Sequence, residues 1–228
     1  MRKDDMPDEN PLAAKTAALS ALFRMLAWQF AYPSTQQARA CTSLEYLAAC
    51  RELVRKAGIE DVSLEDSFTR FEKAARLEED RRASLLRIEH TRLFITPPPL
   101  VRRDGAWWVK RNRTLVSKKA GERCAVEQVY REQGLANRPG ATDPPDHLVS
   151  ELDFVSFATS EEAGSWAEDD AAGARAWRQL REDFLKQHME ELALGVALEV
   201  ERASDDPFLL CYAALLRAVV VSAGEGQL

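Results

Sequence analysis

The densest run of residues able to do chemistry is Thr142-Asp143-Pro144-Pro145-Asp146-His147-Leu148-Val149-Ser150-Glu151-Leu152-Asp153. Two prolines bar a helix from running into it, and an amphipathic helix is expected to start at once after them. Asp143 is placed to act as N-cap, with Pro144 at the first helical position and Asp146 at the third, a capping-box-like arrangement. Acids there suit the unpaired N–H groups and partial positive charge of a helix start. His147 and Glu151 then lie four residues apart on one face, beside an apolar face of Leu148, Leu152 and Val155. A stiff joint with its polar groups aimed outward suits recognition of a partner. A well-capped helix and nothing more satisfies the same local physics.

Catalytic readings of these residues are thinner. His147, Glu151 and His188 could form a mononuclear metal set on packed helices, and this helical metal- or nucleotide-dependent enzyme is the alternative to be tested. Glu89, Glu151 and Asp153 could be assembled into a carboxylate hydrolase, but any helical surface offers as much. No GxxxxGK[ST] loop, GxGxxG, GxSxG elbow or HExxH is present. None of His90, His147 and His188 has a glutamate three residues earlier, as a di-iron bundle requires. Cys41, Cys50, Cys124 and Cys211 make no CxxC pair and no zinc-like spacing, so reduced thiols are expected. The chain does not read as an enzyme, and nothing in it calls for a cofactor.

One segment is basic. Between Leu100 and Lys119 lie Arg102, Arg103, Lys110, Arg111, Arg113, Lys118 and Lys119 against the single acid Asp104, with Trp107 and Trp108 among them. That stretch carries +6 while the whole chain carries −6, which leaves −12 on the remainder. Cations interleaved with aromatics can bind nucleic acid. On an acidic body, docking onto the chain's own acidic helices or onto a protein partner is the more economical reading.

The elements that must hold these groups are helical nearly throughout. Leu19, Leu22, Phe23, Leu26 and Phe30 repeat at helical spacing before Pro33; Ser34 opens a second helix ending at Gly58; a third region runs, with a bend, from near Ser63 to Phe94. Helix signals vanish from Ile95 to Gly121, where Pro97-Pro98-Pro99 favours an extended conformation and Asp104-Gly105 a turn. Further helices are expected near 122–133, 146–162, 170–200 and 207–222. The fold class is therefore all-α, a bundle-like single unit of about eight helices. Its parts are an N-terminal portion, 1–134, with the basic loop 95–121, a Pro/Gly/Asn-rich hinge at 135–145, and a C-terminal portion, 146–228. Such a hinge also allows a domain-swapped dimer beside a monomer. With 46% hydrophobic and 30% charged residues the composition is that of a soluble globular protein. The start of the chain lacks the apolar core of an export signal, and Phe208–Val221 is interrupted by Arg217 and short of a bilayer span. A cytoplasmic location without stable membrane insertion is expected.

These blocks together resemble a known family. Pro145-Asp146-His147-Leu148-Val149-Ser150-Glu151-Leu152-Asp153-Phe154 is similar to the "pDH…EL.fm" signature of the TorD/DmsD chaperones, which assist assembly of exported molybdoenzymes. Glu89-His90-Thr91-Arg92-Leu93-Phe94-Ile95 resembles the family's "eYtrLF" segment, Val129–Leu135 its "lYr..Gl" helix end, Phe184–Met189 its "FL..HL", and Asp206-Pro207-Phe208 its late helix start. The order of the blocks spans about residues 15–222. Departures occur at Leu192 and Leu209, where the family commonly has aromatics, and in the Ala106-Trp107-Trp108 segment. The resemblance implies a TorD-like helical fold and a cytoplasmic, non-catalytic chaperone. Its partners would be an apo molybdoenzyme catalytic subunit and that subunit's twin-arginine signal peptide, with no nucleic acid. It implies a client-binding surface made of Leu93, Phe94, Trp108, Pro145, Asp146, His147, Leu148 and Glu151, with Asp146 and Glu151 supplying negative potential.

Overall fold

The computed structural model describes residues 10–112, 118–136 and 143–224. Eleven α-helices and one π-helical turn fill them: α1 Pro11–Phe30, α2 Thr35–Cys41, α3 Leu44–Ala57, α4 Val62–Ala75, α5 Glu79–Phe94, α6 Gly105–Asn112, α7 Lys118–Glu132, α8 Leu148–Ala167, α9 Ala171–Phe184, the π turn Leu185–Met189, α10 Glu190–Ala203 and α11 Pro207–Gly224. The all-α expectation holds. The only extended pairing among the described residues is an isolated antiparallel bridge between Asp104 and His147.

There are more helices than the periodicity suggests, because polar caps cut long apolar runs. Ser43 accepts the Tyr46 N–H and starts α3 afresh, while Thr42 Oγ1 turns back onto the Ala38 carbonyl at 2.7 Å and ends α2. Glu78 accepts the N–H groups of Asp80 and Arg81, so the expected bend between Ser63 and Phe94 is a full break. The 170–200 region is divided by the π turn. Such turns insert one extra residue into the helix and re-aim its side chains.

α6 lies where no helix was expected, and Asp104-Gly105 is the start of that helix rather than a free turn. The missing signal comes from 40 residues away. Ala106 N–H donates to Asp146 Oδ2 at 3.1 Å and Gly105 N–H to the Asp146 carbonyl at 2.7 Å, so the cap is supplied by the hinge before α8.

α1 and α8, 20 residues each, pack along their length. Ser20 and Ser156 exchange hydroxyl-to-carbonyl bonds of 2.8 and 3.1 Å across that contact, which needs close backbones. α11 is long and apolar enough to cross a membrane, but most of it is buried against α10, α4 and α1. Phe71 and Phe208 meet edge-on at 4.8 Å there, and Tyr212 donates to the Cys41 carbonyl. The expected hinge 135–145 falls largely on residues 137–142, outside the described residues.

α6 is locked by a size match. A Cβ added at Gly195 on α10 would lie 2.5 Å from the indole of Trp108. Gly195→Ala is therefore expected to push Trp108 out of its seat at a cost of about 1–2 kcal/mol. Denaturant unfolding and near-ultraviolet dichroism check this, and a variant matching the parent in both would show that the seat is not tight.

Candidate functional site

The segment leading into α8 folds as a tight turn. His147 N–H closes onto the Pro144 carbonyl at 3.0 Å, and Ser150 Oγ donates to the same oxygen. Residues 144–146 are thus spent on the turn, and the helix starts at Leu148. The expected N-cap, Asp143, is displaced by His147, whose Nδ1 accepts the Val149 N–H at 3.3 Å. That role needs an unprotonated Nδ1, and so a neutral ring with its proton on Nε2. Burial, with Arg103 beside the ring, lowers the His147 pKa to about 4, against the opposing pull of Asp143, Asp104 and Asp146. His147 is a neutral cap at neutral pH.

Asp146 is fully buried and ties three helices together. Besides capping α6, its Oδ1 accepts the Arg123 Nε–H of α7 at 2.9 Å. Tyr130 of α7 donates to the Pro145 carbonyl, and Leu148 N–H donates to the Arg103 carbonyl. Trp108 Nε1 donates back to the Arg102 carbonyl. The site is a clasp: the turn holds α6 and α7 against the start of α8.

Glu151 lies one turn into α8 and is also fully buried. Neither of its oxygens finds a hydrogen-bond partner among the described residues. Its Oε1 sits against Gly105, where an added Cβ would come within 3.4 Å. Burial, reinforced by Glu122 and Asp146, raises its pKa well above the ordinary carboxyl range, so it keeps its proton. The expectation of polar groups aimed outward is thereby corrected. Asp146 and Glu151 point inward, because the start of α8 is roofed by α6 and α7, and a protonated Glu151 lends no negative potential.

The apolar members of the expected surface are likewise core. Leu93, Phe94, Trp108 and Leu148 are all buried, while Pro145 is half-buried in the turn. Phe94 packs against Phe30 and His90, with the Arg103 guanidinium 4.7 Å over its ring. Arg103 also donates to the Phe30 carbonyl, and Arg102 pairs with Asp104, so both basic-loop arginines in view serve the fold. The side chains of Lys110, Arg111, Arg113, Lys118 and Lys119 lie outside the described residues. His188, on the π turn, bonds Glu122 Oε1 at 2.7 Å. His147, Glu151 and His188 do not come together as ligands, and the described residues hold no group of three or more metal-ligating side chains placed for an ion.

Beside the clasp, an open groove of about 490 Å³ runs between α1 and α8. Met25, Trp28 and Ala21 line it from α1 and Val149 from α8, with Arg24 and Asp153 also in its lining. Trp28 leans on Tyr46, ring centroids 5.8 Å apart. Sequence reasoning missed this groove. The available signal was a second apolar stripe on α1, at positions 21, 25 and 28, opposite the core stripe of Leu19, Leu22, Phe23, Leu26 and Phe30.

A family model described as nitrate reductase delta subunit matches residues 45–193, from the start of α3 into α10. A search of the curated proteins found no match.

Proposed function

We propose, from the premise that this chain belongs to the nitrate reductase delta subunit family of molybdoenzyme assembly chaperones, that it captures the twin-arginine signal peptide of an apo catalytic subunit. On this reading it holds that subunit in the cytoplasm, in a TorD/DmsD-like manner, until the molybdopterin cofactor is inserted, and it performs no catalysis.

The α1–α8 groove carries the proposal. A signal peptide offers guanidiniums followed by an apolar stretch, and its receptor must pair an apolar trough with carboxylates. Met25 and Trp28 supply adaptable and rigid apolar surface respectively, and Asp153 adds a carboxylate to the lining beside Arg24. Val149 connects the trough to the clasp, only two residues beyond His147. The Pro145-Asp146-His147 turn then acts as the frame that fixes α8 as one wall.

Calorimetric titration with the leader peptide of the molybdoenzyme encoded beside this chain's gene tests the reading, with association expected in the micromolar range, roughly −8 kcal/mol. Met25→Lys, which places a cation in the trough, is expected to weaken binding about tenfold or more, roughly 1.4 kcal/mol, with helicity unchanged. Equal affinity in a folded Met25→Lys variant would move the peptide site elsewhere, and no binding by the parent would end the signal-peptide reading. Sizing chromatography separates the monomer from a swapped dimer.

A further inference from the structure

Among the described residues eleven large apolar side chains are exposed, and five of them lie between residues 77 and 100, on α5 or the turns at its ends. Leu85, Ile88 and Ile95 are 44%, 65% and 46% exposed. Arg81, Leu85, Ile88, Arg92 and Ile95 follow one another at spacings of four, three, four and three, so they form a single stripe along α5 and its C-cap. The stripe lies opposite Ala83, Leu86, His90 and Leu93, the buried face that fixes α5 to the core. An apolar row left in solvent and bounded by charge marks an interaction surface, which a lone exposed leucine does not.

We propose that the outer face of α5 is a docking surface for one acidic amphipathic helix of a partner protein. The spacing gives the form of the partner. Alternation of four and three is the seam along which one helix lies on another, with Leu85 and Ile88 as central knobs. The charge gives its chemistry. Arg81 and Arg92 are the charged members of the seam, and both are cations. The acids beside them are engaged within the chain, Asp80 with Arg39, and Glu89 with Arg92 and Ser204. Arg81 has no acidic partner among the described residues. A facing helix with a carboxylate at the level of Arg81 completes the seam.

Other occupants fit less well. A twofold pairing of two copies centred on Leu85 and Ile88 sets Arg81 of one opposite Arg92 of the other, like charge on like. A bilayer is a plane, and it would meet the exposed acids Glu79 and Asp80 that open α5 together with the stripe. A twin-arginine leader is cationic and is repelled by Arg81 and Arg92. No α5 residue lines the α1–α8 groove, so this surface is separate from it and stands without the signal-peptide reading.

The test uses the full chain and two synthetic helical peptides that share one leucine seam, flanked by Glu in the first and by Lys in the second. The Glu peptide is expected to bind at least tenfold more tightly than the Lys peptide, with the gap narrowing as salt is added. Ile88→Glu is expected to weaken the Glu peptide tenfold or more, and Arg81→Glu about fivefold. Both side chains are exposed, so the melting temperature should not move. Equal binding of the two peptides, or a folded Ile88→Glu variant that keeps the Glu peptide, overturns the proposal. Phosphatidylglycerol vesicles that sediment the parent and not Ile88→Glu would give the stripe to lipid instead, and dimerisation lost in Ile88→Glu would give it to a second copy. Should the variants fail to fold, a photoreactive side chain at position 88 must cross-link the Glu peptide in preference to the Lys peptide, and the reverse preference overturns the proposal.

Discussion

Asp146→Ala is expected to destabilise the chain by about 3 kcal/mol, the largest loss of any single substitution in the clasp. The side chain is fully buried, and its removal has three consequences at once. The Ala106 N–H at the start of α6 loses its acceptor, and Arg123 loses its counter-charge. The space left by the carboxylate is roofed by Gly105, which has no side chain with which to fill it. Asp146→Asn keeps an acceptor for Ala106 but not the charge, and is expected to cost roughly half as much. Guanidinium denaturation measures both. Hydrogen exchange adds a spatial check, because amides of α6 and the first turn of α8 should lose protection ahead of those in α1 and α11. A loss under about 1 kcal/mol, with exchange unchanged in α6, would mean that the clasp is held by Trp108 and the core alone.

The reach of the sequence is well seen at this same turn. Helix periodicity identifies a start after Pro144-Pro145 and ranks Asp146, His147 and Glu151 as the residues of interest. It cannot say which way they face. A helical wheel gives relative angles, and what lies against each face is decided by α6 and α7, whose docking depends on pairings 23 to 40 residues distant. The same distance hid α6 itself. Its start is capped by Asp146, and its Trp108 is seated on Gly195, so neither determinant is local. Conversely, Ser34, Ser43 and Asp61 cap their own helices two or three residues on, and such boundaries are readable in principle from residue type and spacing. The groove was missed for a different reason. α1 is apolar on two sides, and the pattern alone does not tell a core stripe from one that stays open.

Glu151→Gln is expected to stabilise the chain at alkaline pH and to flatten its pH profile, and the sign follows from which state binds the proton. The unfolded glutamate ionises near 4.5, whereas the folded one keeps its proton to a much higher pH. Across that interval the folded state binds one proton more than the unfolded state, so stability falls as pH rises, by about 1.4 kcal/mol per pH unit, until the folded group itself ionises. The buried histidines act oppositely. His147 and His90 are lowered from 6.5 to about 4 and about 3, both chiefly by burial, so their unfolded forms bind the extra proton and stability rises with pH up to 6.5. Between 4.5 and 6.5 the two effects oppose each other. Well above 6.5 the histidines are neutral in both states, and well below 9 the buried thiols Cys41, Cys50 and Cys211 are protonated in both. The middle of the interval between those two values therefore isolates Glu151. The parent should lose stability there while Glu151→Gln holds level, the two curves diverging for as long as the folded carboxyl keeps its proton. Parallel curves would mean that Glu151 is already ionised in the fold, and the carboxylate would then need a buried cation that the described clasp does not provide.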